Sequence, residues 1–218
     1  MKSVPLICAL AVLFSATNSA RGQSGAELPA DIDPITLNRL PLLDRDNLDA
    51  EGQRAWDLRM SNGVMPPRGP RNVSVYSPIV AEFIESGRRL YTAGVLTPAQ
   101  AQLAILLAGW EIESKVVWTG HEPDALAAGV PREVVDAVKF DRPIDDIAAE
   151  YASIIRFARQ LYRDHEVDSD VYAELISYVG ERGMVEIVGL MGRYVTVGTL
   201  MNAVDQRLAS GPSLLPER

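Results

Sequence analysis

His121 is where any chemistry in this sequence is first to be sought. It is one of two histidines, and a neutral imidazole near pH 7 both accepts and donates a proton, as a general acid or base must. Val117 and Glu113 stand one and two helical turns before it, on roughly one face of a continuous helix. Trp118 and Trp110 offer apolar walls that exclude water. Glu111 and Glu113 offer carboxylates that orient or polarise. Each has a plainer reading beside the chemical one: a histidine on a core helix is often structural, and the two glutamates suit the solvated side of a helix. A Ser–His–acid triad through Ser114 is set aside, because two turns along one helix do not bring a hydroxyl to an imidazole. A metal site is not expected, since there is no His-x-x-x-His pair and one histidine with scattered carboxylates is a weak ligand set. His165, in RDHEVDSD, reads as a cation at a helix C-terminus. Arg68 and Arg71 are candidates to meet a substrate carboxylate, against the commoner reading of surface charge.

The element that must hold this group is the stretch from Thr97 to Pro131. Thr97, Pro98 and Gln100 spell an N-cap, a first-turn proline and a capping box. Leu103, Leu106, Leu107 and Trp110 recur at helical spacing, and Ala104, Ile105 and Ala108 make the other faces apolar, the mark of a buried helix. Gly129 and Pro131 stop the run. Before it, Asn47–Met60 is expected to be a short helix, 61–77 a loop rich in proline and glycine, and Ser77-Pro78 the start of a helix reaching Gly94. After it, helices are expected over Pro131–Phe140, Asp145–His165, Asp168–Val179 and Met184–Leu208. The last is apolar but carries Glu186 and Arg193, which favours a buried helix over a membrane span. Each half thus leads into one apolar helix, centred near Leu106 and Leu190, and the two are expected to pack together. No stretch alternates as a strand, so the domain reads as all-α.

Residues 1–22 read as an export signal: Lys2, a short apolar core from Val4 to Ala16, and small residues around Ala20-Arg21-Gly22. The apolar run is too short for a transmembrane anchor. The sequence's single cysteine, Cys8, lies in this segment, so the mature chain has none, which excludes disulfides, thiolate metal ligands and cysteine nucleophiles. Loss of Lys2 and Arg21 takes the formal charge from −8 to −10. An acidic chain without a basic run is a poor nucleic-acid binder, and no membrane contact is expected after signal cleavage. Residues 23–44 read as an extended arm, 45–210 as one helical domain and 211–218 as a tail.

The run LAILLAGWEIESKVVWTGHEPDALAAGVPREVVDAV resembles the core of the carboxymuconolactone decarboxylase family, which shares its fold with AhpD-type alkylhydroperoxidases. RLPLLDRDNLDAEGQRAWD, SPIVAEFIESGRRL and EIVGLMGRYVTVGTLMNAV resemble that family's leader, the helix before its core and its closing helix, so the likeness covers about Arg39 to Leu208. It implies an AhpD-like helical fold and a homotrimer or hexamer. The departures are chemical. The Cys-x-x-Cys positions of AhpD-type enzymes fall on Ser114 and Val117, so thiol peroxidase activity is not expected. Val117 also stands where a carboxylate often precedes the histidine, and Gln102 replaces a common glutamate. Of the family's acid/base set, His121 remains.

The expectation is therefore an exported, periplasmic or secreted enzyme that acts on a small lactone or carboxylic acid without a cofactor. The reaction would be decarboxylation, isomerisation or lactone opening. His121 would be the acid/base, with Glu113 or Glu111 orienting it, and Gln102, Trp110, Ser114 and Trp118 contacting substrate. The alternative is a non-catalytic binding or scaffold protein that keeps the fold.

Overall fold

The chain folds around α5 (Pro98–Glu111), whose start follows from its first residues. Thr97 Oγ1 accepts from the Gln100 N–H and the Gln100 side chain accepts from the Thr97 N–H, a completed capping box behind Pro98. Leu103, Ala104, Ile105, Leu106 and Ala108 are fully buried and Leu107 nearly so. The computed structural model describes residues 28–209, 211 and 213–217; residues 1–22, expected to be an export signal, and the first residues of the expected arm lie outside them. Before α5 come a 3-10 turn at Arg45–Asn47, α1 (Ala50–Arg59), α2 (Pro70–Ser74), α3 (Pro78–Ser86) and α4 (Arg89–Thr92). After it come α6 (Lys115–Ala127), α7 (Arg132–Lys139), α8 (Ala149–Arg163) and α9 (Ser169–Ala203). Among the described residues there is no strand. The domain is all-α.

Helices α6, α7, α8 and α9 all pack on α5. The two apolar helices meet as expected: Ile187 and Leu190 of α9 are fully buried in the same core as Leu106. By length and composition α9 would span a bilayer; here it lies against α5 and α8. Gly198 allows its closest approach, because a Cβ there would stand 2.4 Å from Ile112 Cδ1 and 2.9 Å from Ser114 Cβ.

Four elements depart from the sequence expectation, the first being the helix expected from Ser77 to Gly94, which is α3 and α4 with a break at Gly87 and Arg88. The helix through His121 is two helices, not one. Glu113 has φ +52°, the Glu113 N–H donates to Trp110 O and the Ser114 N–H to Gly109 O. That is a Schellman closure with a glutamate where glycine is usual, so no glycine announced it. The 61–77 loop contains α2, opened by Gly69 at φ +82° and Pro70. The last two expected helices form one element, broken at Gly180 (φ +69°, ψ +172°) and resuming at once.

The arm is fixed on the end of α9. The Arg39 N–H donates to Val204 O, the Arg207 N–H donates to Leu37 O, and Asn38 Nδ2 donates to Gln206 Oε1. Thr36 and Asn38 are fully buried there. Leu215 of the tail is buried in the main core.

Candidate functional site

α6 presents His121 in its second turn, and the partners of its ring come from two other elements. Gln102, in the first half of α5, brings Oε1 to 3.0 Å from His121 Nδ1. An amide oxygen only accepts, so with this pairing Nδ1 carries the proton and Nε2 holds the lone pair. Tyr194 of α9 meets the imidazole edge to face, 4.9 Å between centroids at 84°. Behind it Tyr91 of α4 meets Tyr194 at 6.2 Å and 87°. Arg193 stacks between the two phenols, 4.9 Å from the Tyr194 centroid and 5.6 Å from that of Tyr91.

Burial is the main reason that the His121 pKa is lowered, to about 4; the Asp124 carboxylate opposes this and the Arg193 guanidinium adds to it. The imidazole is neutral at pH 7. Burial likewise pushes Tyr91 up to about 12, so its hydroxyl stays protonated. This arrangement can do one thing plainly: offer a neutral, oriented imidazole with Nε2 as its basic nitrogen, beside an arginine.

The other candidates sit in different surroundings. Glu111 accepts from Arg163 Nε at 3.1 Å, and Arg163 also bonds Asp141 and lies 4.8 Å over the Trp110 ring. Trp110 donates through Nε1 to Lys139 O. Trp118 is fully buried, with Nε1 donating to Glu122 Oε2 at 2.6 Å. Glu122 is gripped in turn by Lys139 and Arg132. Both tryptophans thus anchor α7 to α5 and α6. Glu113 is exposed at the α5–α6 joint; because the helix breaks there, it does not share the face of His121 two turns on, as a continuous helix would require. Ser114 is fully buried and its Oγ has no hydrogen-bond partner among the described residues. Of the candidate residues, the structure brings Gln102 and His121 together.

Arg68 donates to Ile35 O and Arg71 to Arg59 O and Met60 O, so both tie loops together. No cluster of three or more metal-ligating side chains occurs among the described residues.

Sequence reasoning missed Asp124, Arg193, Tyr194 and Tyr91. Asp124 was within reach, three residues beyond His121 on the same helix. The others come from elements far along the chain, and the only trace of them was a charge interrupting the apolar α9.

No family model matches the chain, and no curated protein does. Solved structures do. Apo debrominase Bmp8 superposes with a TM-score of 0.57 at 16% identity, over 78% of this chain and 91% of that one. The complex of its cysteine-to-alanine variant with 2,3,4-tribromopyrrole gives 0.55 at 15%, over 80% and 91%. The chain shares its fold with debrominase Bmp8. At such identities the likeness is one of fold: the all-α, AhpD-like architecture. Residues 28–217 contain no cysteine, so any chemistry they perform is not that of a thiolate.

Proposed function

We propose that this chain is an enzyme that acts on a small lactone or carboxylic acid by proton transfer through His121 Nε2. The observation that carries the reading is the 3.0 Å pairing of His121 Nδ1 with Gln102 Oε1. It sets the tautomer and aims the free nitrogen, the job that an orienting group does for a catalytic histidine. Gln102 is thus a positioning residue in this reading. Decarboxylation, isomerisation and lactone opening all need a proton moved to or from carbon or oxygen, and a neutral imidazole serves each. The fold shared with a debrominase that binds a tribromopyrrole is compatible with a small-molecule substrate.

The test is turnover over a panel of aromatic-derived lactones and carboxylic acids, wild type against His121→Ala. A loss of on the order of 10²-fold or more in kcat with the fold intact is the expected result. Binding without turnover, unaffected by the substitution, would replace this reading with the second one, a binding protein on an enzyme's scaffold. That second reading draws on Glu111, whose carboxylate is engaged by Arg163 rather than by the histidine.

Assembly and export belong to the same proposal. Ile79 and Phe83 of α3 and Val185 and Val188 of α9 are exposed apolar side chains, which suits burial between copies in a homotrimer or hexamer. Residues 1–22 fit a cleaved signal and a periplasmic or secreted protein.

A further inference from the structure

We propose that Arg193 is the anchor for a carboxylate on the ligand of the His121 site, and so the residue that restricts this site to small organic anions. The proposal rests on the reading of His121 as the centre of the site. Three features of Arg193 carry it.

Its guanidinium has only neutral partners. Nε donates to Ile84 O at 2.8 Å and Nη1 to the Tyr91 hydroxyl at 3.3 Å. Tyr91 and Tyr194 stack on it. No carboxylate lies within ion-pair distance among the described residues, and Nη2 has no protein partner and is not sealed from solvent. A half-buried cation without a counter-charge is an expensive thing to keep. Of the carboxylates in that corner, Glu85 is already taken by Arg59 at 2.5 Å and Arg88 at 3.1 Å, and Asp124, which acts on His121 and Tyr91, forms no ion pair with Arg193 among the described residues.

Next, its position is built. A Cβ at Gly87 would fall 2.4 Å from Arg193 Cδ and 3.0 Å from Nε, so the stem runs through space that a glycine leaves open. Stacking on two rings and two hydrogen bonds then fix the planar guanidinium and leave Nη2 to donate to a carboxylate.

Finally, it adjoins the imidazole. Both groups lie 4.9 Å from the Tyr194 centroid, so at most twice that distance separates them, within the span of one small aromatic or lactone acid.

The charged and titratable groups facing His121 are Asp124 on its own helix, Arg193 and Tyr194 from α9 and, behind them, Tyr91 from α4. A bound carboxylate neutralises Arg193, which itself disfavours the imidazolium, and so raises the His121 pKa. The experiment is an NMR titration of the His121 ring in the full chain, assigned against His165→Gln, alone and with benzoate or its neutral analogue benzamide. Benzoate is expected to raise the His121 pKa while benzamide leaves it in place. Benzoate affinity is expected to fall about tenfold or more in Arg193→Met and less in Arg193→Lys, tenfold being the equivalent of one good charge-assisted contact. Equal binding of benzoate and benzamide, or an unmoved His121 titration, overturns the proposal. So does wild-type benzoate affinity in a folded Arg193→Met. Should that variant not fold, the wild-type comparison of benzoate with benzamide decides alone. Neither readout uses turnover. Arg193-dependent benzoate binding by a chain that turns nothing over would therefore support this site while retiring the proton-transfer reading.

Discussion

A partly buried, neutral histidine couples the site to stability. The folded-state pKa of His121 is about 4 against an ordinary 6.5, so between those values the unfolded chain binds the extra proton more readily. Stability contributed by the neutral ring is complete above pH 6.5 and is lost as the pH falls towards 4. Urea unfolding of wild type and His121→Asn across that window should show a steeper acid decline in the wild type; parallel profiles would place the ring in water. Ser114 is the converse case. Its buried Oγ has no partner, and a hydroxyl stranded in this way costs roughly 1–3 kcal/mol. Ser114→Ala should therefore leave the fold intact and raise its stability by about 1 kcal/mol in denaturant titration. A destabilised variant would mean that the hydroxyl is held by something other than the described residues.

Elements bring the site together through close approaches of backbone. The α5–α6 joint closes only because Glu113 accepts a left-handed conformation, a geometry that costs about 1–2 kcal/mol for a residue with a Cβ. α9 then comes down on that joint at Gly198. Gly198→Ala would drive a methyl into Ile112 and Ser114, and overpacking of this kind costs roughly 1–3 kcal/mol. The shift should also move Tyr194, four residues back on the same face, against His121. Melting temperature and the His121 NMR titration are expected to change together in this variant. A lowered melting temperature with an unmoved titration would uncouple the joint from the site.

At the scale of the whole molecule, the described parts of the arm and of the tail lie against the body. Asn38, fully buried, accepts from the Leu40 N–H and donates to Gln206 Oε1 beyond α9. Asn38→Ala leaves the Leu40 N–H without its acceptor and removes one of the two donors to Gln206 Oε1, which keeps the Gly69 N–H, and a loss of about 1 kcal/mol is expected by urea unfolding. A loss within error would mean that the arm rests on the body without holding it. Much of this architecture was legible beforehand, because its causes are local. The capping box at Thr97, the all-round apolar faces of α5 and the stripes of α8 and α9 are short-range patterns, and burial of apolar surface turns them into an all-α core whatever the substrate. His121, the residue at the centre of the proposed site, could be singled out beforehand, since histidines are scarce here and its chemistry is intrinsic to the side chain. The surroundings were not. Glu111 and Glu113 lie beside His121 in sequence, yet a left-handed turn separates their helix from its own, and Glu111 is spent on Arg163. Tyr194 and Arg193 lie more than seventy residues away and meet the imidazole because α9 packs on α5. Local sequence determined most of the helices and singled out the histidine proposed to carry the proton. Long-range packing decided which groups surround that residue, what its pKa is, and where a cation stands without a counter-charge.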